Sequence, residues 1–347
     1  MTTDDTRYGC WRAFGRYGTI SFVQHQYSLS QIYTPIASEL TDVRAIVSGA
    51  WRETLALVSA PDAGQQQAEG KLLRPALCLL AAGALGKNDL QQYARLAASY
   101  ELIHIASLTH DDVVDHATLR RGHDSLNMLW NNHTAILGGD YLVARALELL
   151  VAYDSCSLVN AALQAMRRMA EGELRYFGRD NTDTNASDCV ALAESKTASL
   201  FAAACAAPAV LLSPEQAQPL HDFGIALGIA FQLTDDLLDL TQTSATLGKP
   251  ACGDITEGKH TLPLHLLREA MNDADRERLC ALHNTTLTEE EQQWVRDMVG
   301  RLGVDKALLE KAEAYIAKAM KTLEGMPDTA CKTSMGALAQ FVLMRHA

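Results

Sequence analysis

The sequence has no CxxC pair among its eight cysteines, Cys10, Cys78, Cys156, Cys189, Cys205, Cys252, Cys280 and Cys331. Their scatter argues against a zinc ribbon or a disulfide framework and suits a reducing, cytoplasmic setting. Aromatic residues make up only 6% and prolines number nine in 347, with no sustained alternation of apolar and polar residues, so a β-rich fold is not expected. Positive charge is also scarce: 42 acidic against 30 basic residues give a formal net charge of −12. That is the wrong sign for nucleic-acid binding through a general electrostatic footprint, and any anionic ligand must be met locally by metals or clustered Lys and Arg. Long apolar runs are missing too. Pro75 to Gly86 and Ala198 to Leu212, the second holding Pro208, fall short of the ~18 residues a bilayer span requires, so no transmembrane segment is expected.

What is present is ordinary globular material, 48% hydrophobic and 21% charged. Residues 1–30 form an N-terminal extension in which Tyr8, Trp11, Phe14, Tyr17 and Phe22 mix with Arg7, Arg12 and Arg16. It has no apolar segment of the secretory kind. Residues 31–347 read as one all-α domain of Ala- and Leu-rich windows with a 3.6-residue period. Gly86-Lys87-Asn88-Asp89, Gly122-His123-Asp124, Gly178-Arg179-Asp180 and Gly253-Asp254 punctuate the windows.

Two near-identical clusters carry the chemistry: Asp111, Asp112 and Asp115 within SLTHDDVVDH, and Asp235, Asp236 and Asp239 within FQLTDDLLDL. Each is DDxxD at the end of a long apolar window. At about 100° per residue the i,i+3 and i,i+4 spacings gather each set of carboxylates on one helix face. One such cluster reads as a solvated acidic face, whereas two with matching flanks need a common cause. Hard carboxylate oxygens suit Mg²⁺, which keeps some of its waters and is completed by substrate phosphates. The pair therefore describes a diphosphate site.

Five motifs in order extend the pattern. They are Gly70-Lys71-Leu72-Leu73-Arg74-Pro75, the first Asp cluster followed by Arg120-Arg121-Gly122, Lys196-Thr197, Phe231-Gln232 with the second Asp cluster, and Gly258-Lys259-His260-Thr261-Leu262-Pro263. In this order and spacing, from about Ile32 to about Pro263, the chain resembles the trans-isoprenyl diphosphate synthases of the polyprenyl synthetase family, particularly the medium- and long-chain members. The resemblance implies an antiparallel helical bundle around a central cavity, a homodimer, and condensation of isopentenyl diphosphate with an allylic diphosphate.

It also implies roles. The six Asp would hold Mg²⁺, three ions per site with substrate bound. Lys71, Arg74, His104 and Arg121 would grip isopentenyl diphosphate. Arg120, Lys196, Thr197, Gln232, Lys249 and Lys259 would grip the allylic diphosphate, with Lys196 and Lys249 adding fixed charge where the leaving group departs. Ionisation then leaves an allylic carbocation for the neighbouring alkene, and the chain grows by five carbons. Pro75 biases Arg74 away from helical geometry, so Lys71 and Arg74 are expected to project from a loop. Leu72 and Tyr176 depart from the family, which usually has a basic residue at the first position and often Gln at the second.

Product length is read from the helix before Asp111. One helical turn, about 5 Å, matches one extended isoprene unit. Ser107, Ala106, Ile103 and Ser99 line the expected path, and Tyr100 borders it as a deeper floor. Short-chain members commonly place aromatic rings where Ala106 and Ser107 stand. The expected product therefore exceeds about 20 carbons, in the range of ~25 to 40, and its release implies at most a peripheral membrane contact. A short-chain synthase is the alternative. A terpene cyclase is disfavoured because its second metal motif resembles NxxxSxxxE, and a non-catalytic subunit because no Asp or Lys is lost. A stacked-repeat binding module is disfavoured because no repeat period is found.

Overall fold

The structure, a computed structural model, describes residues 27–58, 70–117, 119–120, 123–177, 184–247 and 250–344, excepting the side chains of 119, 120, 123, 124, 176 and 177. Most of the N-terminal extension, Arg121 and Lys249 lie outside the described residues, as does the side chain of Arg120.

Twelve longer helices are described: α1 (Ala37–Leu57), α2 (Leu73–Ala84), α3 (Ala94–Val114), α4 (Asn132–Val151), α5 (Cys156–Phe177), α6 (Ala186–Leu212), α7 (Ala217–Thr241), α8 (Leu262–Ala270), α9 (Asp273–Leu282), α10 (Glu289–Arg301), α11 (Val304–Thr322) and α12 (Ala330–Met344). The all-α expectation holds, with one minor exception. Leu119–Arg120 and His123–Asp124 pair as a two-rung antiparallel ribbon, Leu119 opposite Asp124 and Arg120 opposite His123.

Hydrophobicity sorts the helices by depth. Every residue of α2 is buried, and α3 buries side chains on nearly all of its faces, so both lie in the interior. α10 sits further out and starts on local chemistry: Thr288 accepts from the Glu291 N–H, and the Glu291 carboxylate accepts from the Thr288 N–H at 2.8 Å. Those bonds hold the Glu291 carboxyl below its ordinary pKa.

The centre is the pair α6 and α7. α6 packs on α2, α5 and α7, while α7 also lies along α11. The two approach at backbone distance. A Cβ on Gly224 would stand 2.4 Å from Ala202 Cα and one on Gly228 2.5 Å from Ala198 Cα, so only glycine admits this contact. α6 also corrects the count of apolar runs. It continues upstream from Ala198 to Ala186, through a wide five-residue turn at Glu194–Ala198 and past Pro208, which makes it long and apolar enough to cross a bilayer. Within the fold, 72% of its most apolar window is buried, and a core helix passes the same test of length and composition.

Two apolar clusters result. The larger draws on α1 to α6, the first half of α7, α11 and α12, and the smaller on the start of α6, the second half of α7, and α8 to α11. α3 and α7 both run toward the same end of the molecule, where their acidic C-termini lie.

Candidate active site

The first Asp cluster closes α3: Asp111 and Asp112 occupy its last turn and Asp115 is its C-cap. The second closes α7, with Asp235, Asp236 and Asp239 in its final turns. Carboxylates there face the negative end of a helix dipole, an arrangement that costs stability unless cations offset it. The structure supplies two. Lys259 Nζ lies 3.0 Å from Asp115 Oδ2 and its charge also acts on Asp236, so a single ammonium reaches both clusters. Lys196 Nζ lies 3.7 Å from Asp111 Oδ2, and the charges of the two lysines act on one another. Motifs more than a hundred residues apart therefore open onto one mouth.

The wide turn in α6 presents Lys196 and Thr197. Such turns insert an extra residue and re-aim the side chains around them. Thr197 donates from Oγ1 to Gln232 Oε1 at 2.6 Å, and Gln232 donates from Nε2 to Asp236 Oδ1 at 2.7 Å. Three of the expected diphosphate and metal residues thus form one chain of hydrogen bonds.

Beneath them is an apolar floor. Phe231, next to Gln232, packs on Phe201 with ring centroids 5.3 Å apart, and the guanidinium of Arg74 lies 4.6 Å over the Phe201 ring. His104 lies on α3 two turns before Asp111, and Lys71 is exposed just ahead of α2.

Arg74 differs from expectation. It lies within the first turn of α2 and is 8% exposed. Proline is tolerated in a first turn because the amides there have no partner within the helix, so Pro75 does not end this one. Burial of Leu72, Leu73 and Arg74 outweighs the local bias, and Leu72 itself adopts a left-handed φ of 52° as N-cap. The absent basic side chain at position 72 is thereby explained, since that position is core.

Asp239, expected among the metal ligands, is also tied into the fold through one oxygen. It is 2% exposed, and its Oδ2 accepts the Asp254 N–H at 3.0 Å while its backbone carbonyl accepts from Cys252 N. It fastens the turn at Gly253–Thr256 that leads to Lys259. Two glutamates that the spacing did not single out do belong to the site. Glu173 pairs with Lys196 and Glu257 with Lys259, so each lysine is held between a glutamate and an aspartate.

Asp236 records the crowding of negative charge. Burial first, then Asp235 and Asp239, push its carboxyl up to about 7, against the hydrogen bond from Gln232 and the charge of Lys259. Excess carboxylate held this close, built from hard oxygen donors, is a donor set suited to a divalent cation. Among the described residues no three His, Cys, Asp or Glu form a group that would hold a metal ion by themselves, so phosphate oxygens and water would have to complete the shell.

Residues 59–299 match the sequence profile of the polyprenyl synthetase family. The chain is 34% identical over 316 residues to an all-trans-nonaprenyl-diphosphate synthase (geranyl-diphosphate specific) of Rhodobacter capsulatus, covering 90% of this chain and 97% of that one. It is 33% identical over 289 residues to a short chain isoprenyl diphosphate synthase of Methanothermobacter thermautotrophicus, covering 80% and 87%. A polyprenyl synthase of Caulobacter crescentus, solved with calcium and isoprenyl diphosphate, superimposes with a TM-score of 0.83 at 32% identity, covering 93% of this chain and 99% of that one. With the shared mouth of the two Asp clusters, these likenesses establish that the chain belongs to the polyprenyl synthetase family and is a prenyltransferase.

Proposed function

We propose that the protein catalyses Mg²⁺-dependent head-to-tail (1′-4) condensation of isopentenyl diphosphate with an allylic diphosphate, giving an all-trans product longer than about 20 carbons on the estimate of one isoprene unit per helical turn. The observation that carries this reading is the meeting of the two acidic helix ends at Lys259. Mg²⁺, held by Asp111, Asp112, Asp115, Asp235, Asp236 and Asp239, would supply Lewis-acid neutralisation of the departing diphosphate.

The chain's own residues do the rest. Lys196 and Lys259 add fixed positive charge at the same mouth, and Thr197 with Gln232 orients Asp236. Phe201 and Phe231 present a floor without nucleophiles, which keeps water from a carbocation. Lys71, Arg74 and His104 would hold isopentenyl diphosphate, with Arg120, Arg121 and Lys249 completing the two diphosphate sites.

Relatives of near-equal identity include a nonaprenyl and a short chain synthase, so identity does not choose the product length. The choice for a longer product rests on α3, where Ser99 and Ala106 are fully buried and small, and Ile103 is the bulky residue between them. A homodimer fits the exposed large apolar side chains of α4 and α5, namely Ile136, Leu137, Val151, Leu163 and Leu174. A cytoplasmic setting fits the free thiols of all seven described cysteines, and release of the lipid product would involve a peripheral membrane contact.

The test is incubation with radiolabelled isopentenyl diphosphate, each allylic starter and Mg²⁺, followed by chromatography of the dephosphorylated products. Linear prenyl alcohols, abolished by chelator, are expected. No incorporation with any starter, or cyclic hydrocarbon output, would overturn the reading.

The raised Asp236 carboxyl adds a pH dependence. Below about 7 it carries a proton that a metal must displace, so metal affinity should rise between about pH 6 and about pH 8 with release of a proton. Its folded pKa lies above the unfolded value of 3.8, so the metal-free fold binds an extra proton between those limits. This group's contribution to metal-free stability therefore falls as pH rises through that window and levels off above it. Paramagnetic titration with Mn²⁺ as a stand-in for Mg²⁺ reads the affinity directly, and Asp236→Asn should flatten its pH dependence.

A further inference from the structure

Asp239 fastens the beginning of the Gly253–Thr256 turn, and the end of that turn, from which Lys259 departs, is fastened by a loop outside the sequence motifs. The turn closes as helices close on glycine. Gly258 takes a left-handed φ of 67°, its N–H donates to the Ile255 carbonyl at 3.1 Å, and the Lys259 N–H donates to the Asp254 carbonyl at 2.7 Å. The Ile255 carbonyl accepts a second bond, at 3.0 Å, from the Asn284 N–H in the loop between α9 and α10. A Cβ on Gly258 would stand 2.3 Å from Asn284 Oδ1, so the Asn284 side chain lies against the Gly258 backbone. One residue earlier, the His283 ring packs on that of His260, the neighbour of Lys259, with centroids 5.5 Å apart. We infer that Asn284 and His283 are positioning residues for Lys259, an inference that rests on the proposed condensation, in which Lys259 serves the allylic diphosphate.

Lys259 needs such a hold. Its ammonium reaches Asp115 at 3.0 Å on a long flexible stem, and what the backbone can fix is the point and direction from which that stem leaves. Asn284 is exposed, so its side chain adds little to the core. Its left-handed φ of 60° is one that asparagine tolerates and a β-branched residue does not. The histidine pair adds a charge condition. His260 and His283 line a cavity of about 10 Å³, the size of one water, with Thr184, Cys189 of α6, and His265 and Arg268 of α8. The Cys189 thiol donates to the His260 carbonyl at 3.3 Å, and Glu269 is paired with His265 at 3.5 Å. His283 Nε2 is buried without a hydrogen-bond partner. Burial first, then Arg268, holds His260 below its ordinary pKa of 6.5, and burial, His260 and Arg268 do the same for His283. An opened loop would return both rings to 6.5, so the hold on Lys259 is complete above that pH and weakens as pH falls below it.

The two substrates make the test internal. KM for an allylic diphosphate and KM for isopentenyl diphosphate are measured on the full chain at saturating Mg²⁺ for the wild type, Asn284→Val, Asn284→Gly and His283→Phe. Asn284→Val, which strains the left-handed backbone, is expected to raise the allylic KM about 10-fold and to leave the isopentenyl KM within about 2-fold. Asn284→Gly should recover most of the loss, because glycine takes the same φ freely. His283→Phe keeps a ring against His260 without a second titrating group. The ratio of its allylic kcat/KM to that of the wild type should rise at least about 2-fold between about pH 7.5 and about pH 5.5, a comparison from which the titration of Asp236, common to both proteins, cancels. An allylic KM unchanged in Asn284→Val, parallel rises in both constants, a glycine variant as impaired as the valine one, or a ratio that does not move with pH would overturn the inference. If Asn284→Val does not fold, the pH profile of His283→Phe decides. A wild type that condenses nothing defeats the proposed function instead, so the two failures are distinguishable.

Discussion

Replacing Asp111 with asparagine is expected to lower kcat/KM for condensation by at least about 10³-fold, roughly 4 kcal/mol of transition-state stabilisation, while leaving the metal-free protein as stable as the wild type. The separation of these two effects follows from position. Asp111 lies in the last turn of α3 beside Asp112 and Asp115, where the helix dipole and the neighbouring carboxylates both disfavour its charge. Asparagine has nearly the same shape, so packing is unaffected. Lys196 loses a partner at 3.7 Å but keeps Glu173, and it is not left as an unpaired cation. Stability therefore holds or improves slightly, and what is lost is the charge that binds a divalent cation.

Melting curves without metal, beside steady-state rates with saturating Mg²⁺, make the comparison. A fall in melting temperature that tracks the fall in rate would mean that Asp111 serves the fold, and would count against metal binding at this helix end. A carboxylate cluster placed at the wrong end of a dipole, twice in one chain, is a stability cost incurred for function.

Much of this site was legible because helix geometry is local. The spacing within DDxxD fixes which carboxylates share a face whatever surrounds them, and both clusters close their helices as the pattern requires. The parts that were not legible depend on tertiary contacts. Asp239 carries the same residue letter as Asp115 in the same motif, yet a neighbouring turn brings the Asp254 N–H to it, so one of its oxygens also fastens that turn. Pro75 signals a loop only while Arg74 is taken to be solvated, and once α2 is interior the first turn tolerates it. The wide turn at Glu194–Ala198 has no sequence signature, although it presents Lys196 and Thr197. Glu173 and Glu257 look like ordinary helix and loop acids, and only their lysine partners give them a role. Of the two, Glu257 directly precedes Gly258 and Lys259, so the motif's own flank was a clue.

Replacing Ala106 with phenylalanine is expected to shorten the main product by at least two isoprene units. α3 rises about 1.5 Å per residue, so a growing tail that runs from Asp111 toward the start of the helix passes roughly one turn for each unit added. Ala106 lies just over one turn from Asp111 and is fully buried, Ile103 follows one turn further in, and Ser99 and Tyr100 follow a turn beyond that, also fully buried. The Ser99 hydroxyl is satisfied within its own helix by the Leu96 carbonyl at 2.7 Å, so it presents little polarity to a passing hydrocarbon. The Tyr100 hydroxyl is buried without a hydrogen-bond partner, a costly feature on the same stretch of helix. A ring at position 106 would block the path at its first stage. Because Ala106 sits in a packed core, the ring also carries an overpacking cost of about 1–3 kcal/mol, and the readout must separate blockage from damage. Blockage gives shorter products at a rate per condensation close to the wild type for the first additions. Damage gives a lower melting temperature and slower turnover with the wild-type product length, and that second pattern would remove α3 from the path of the growing chain.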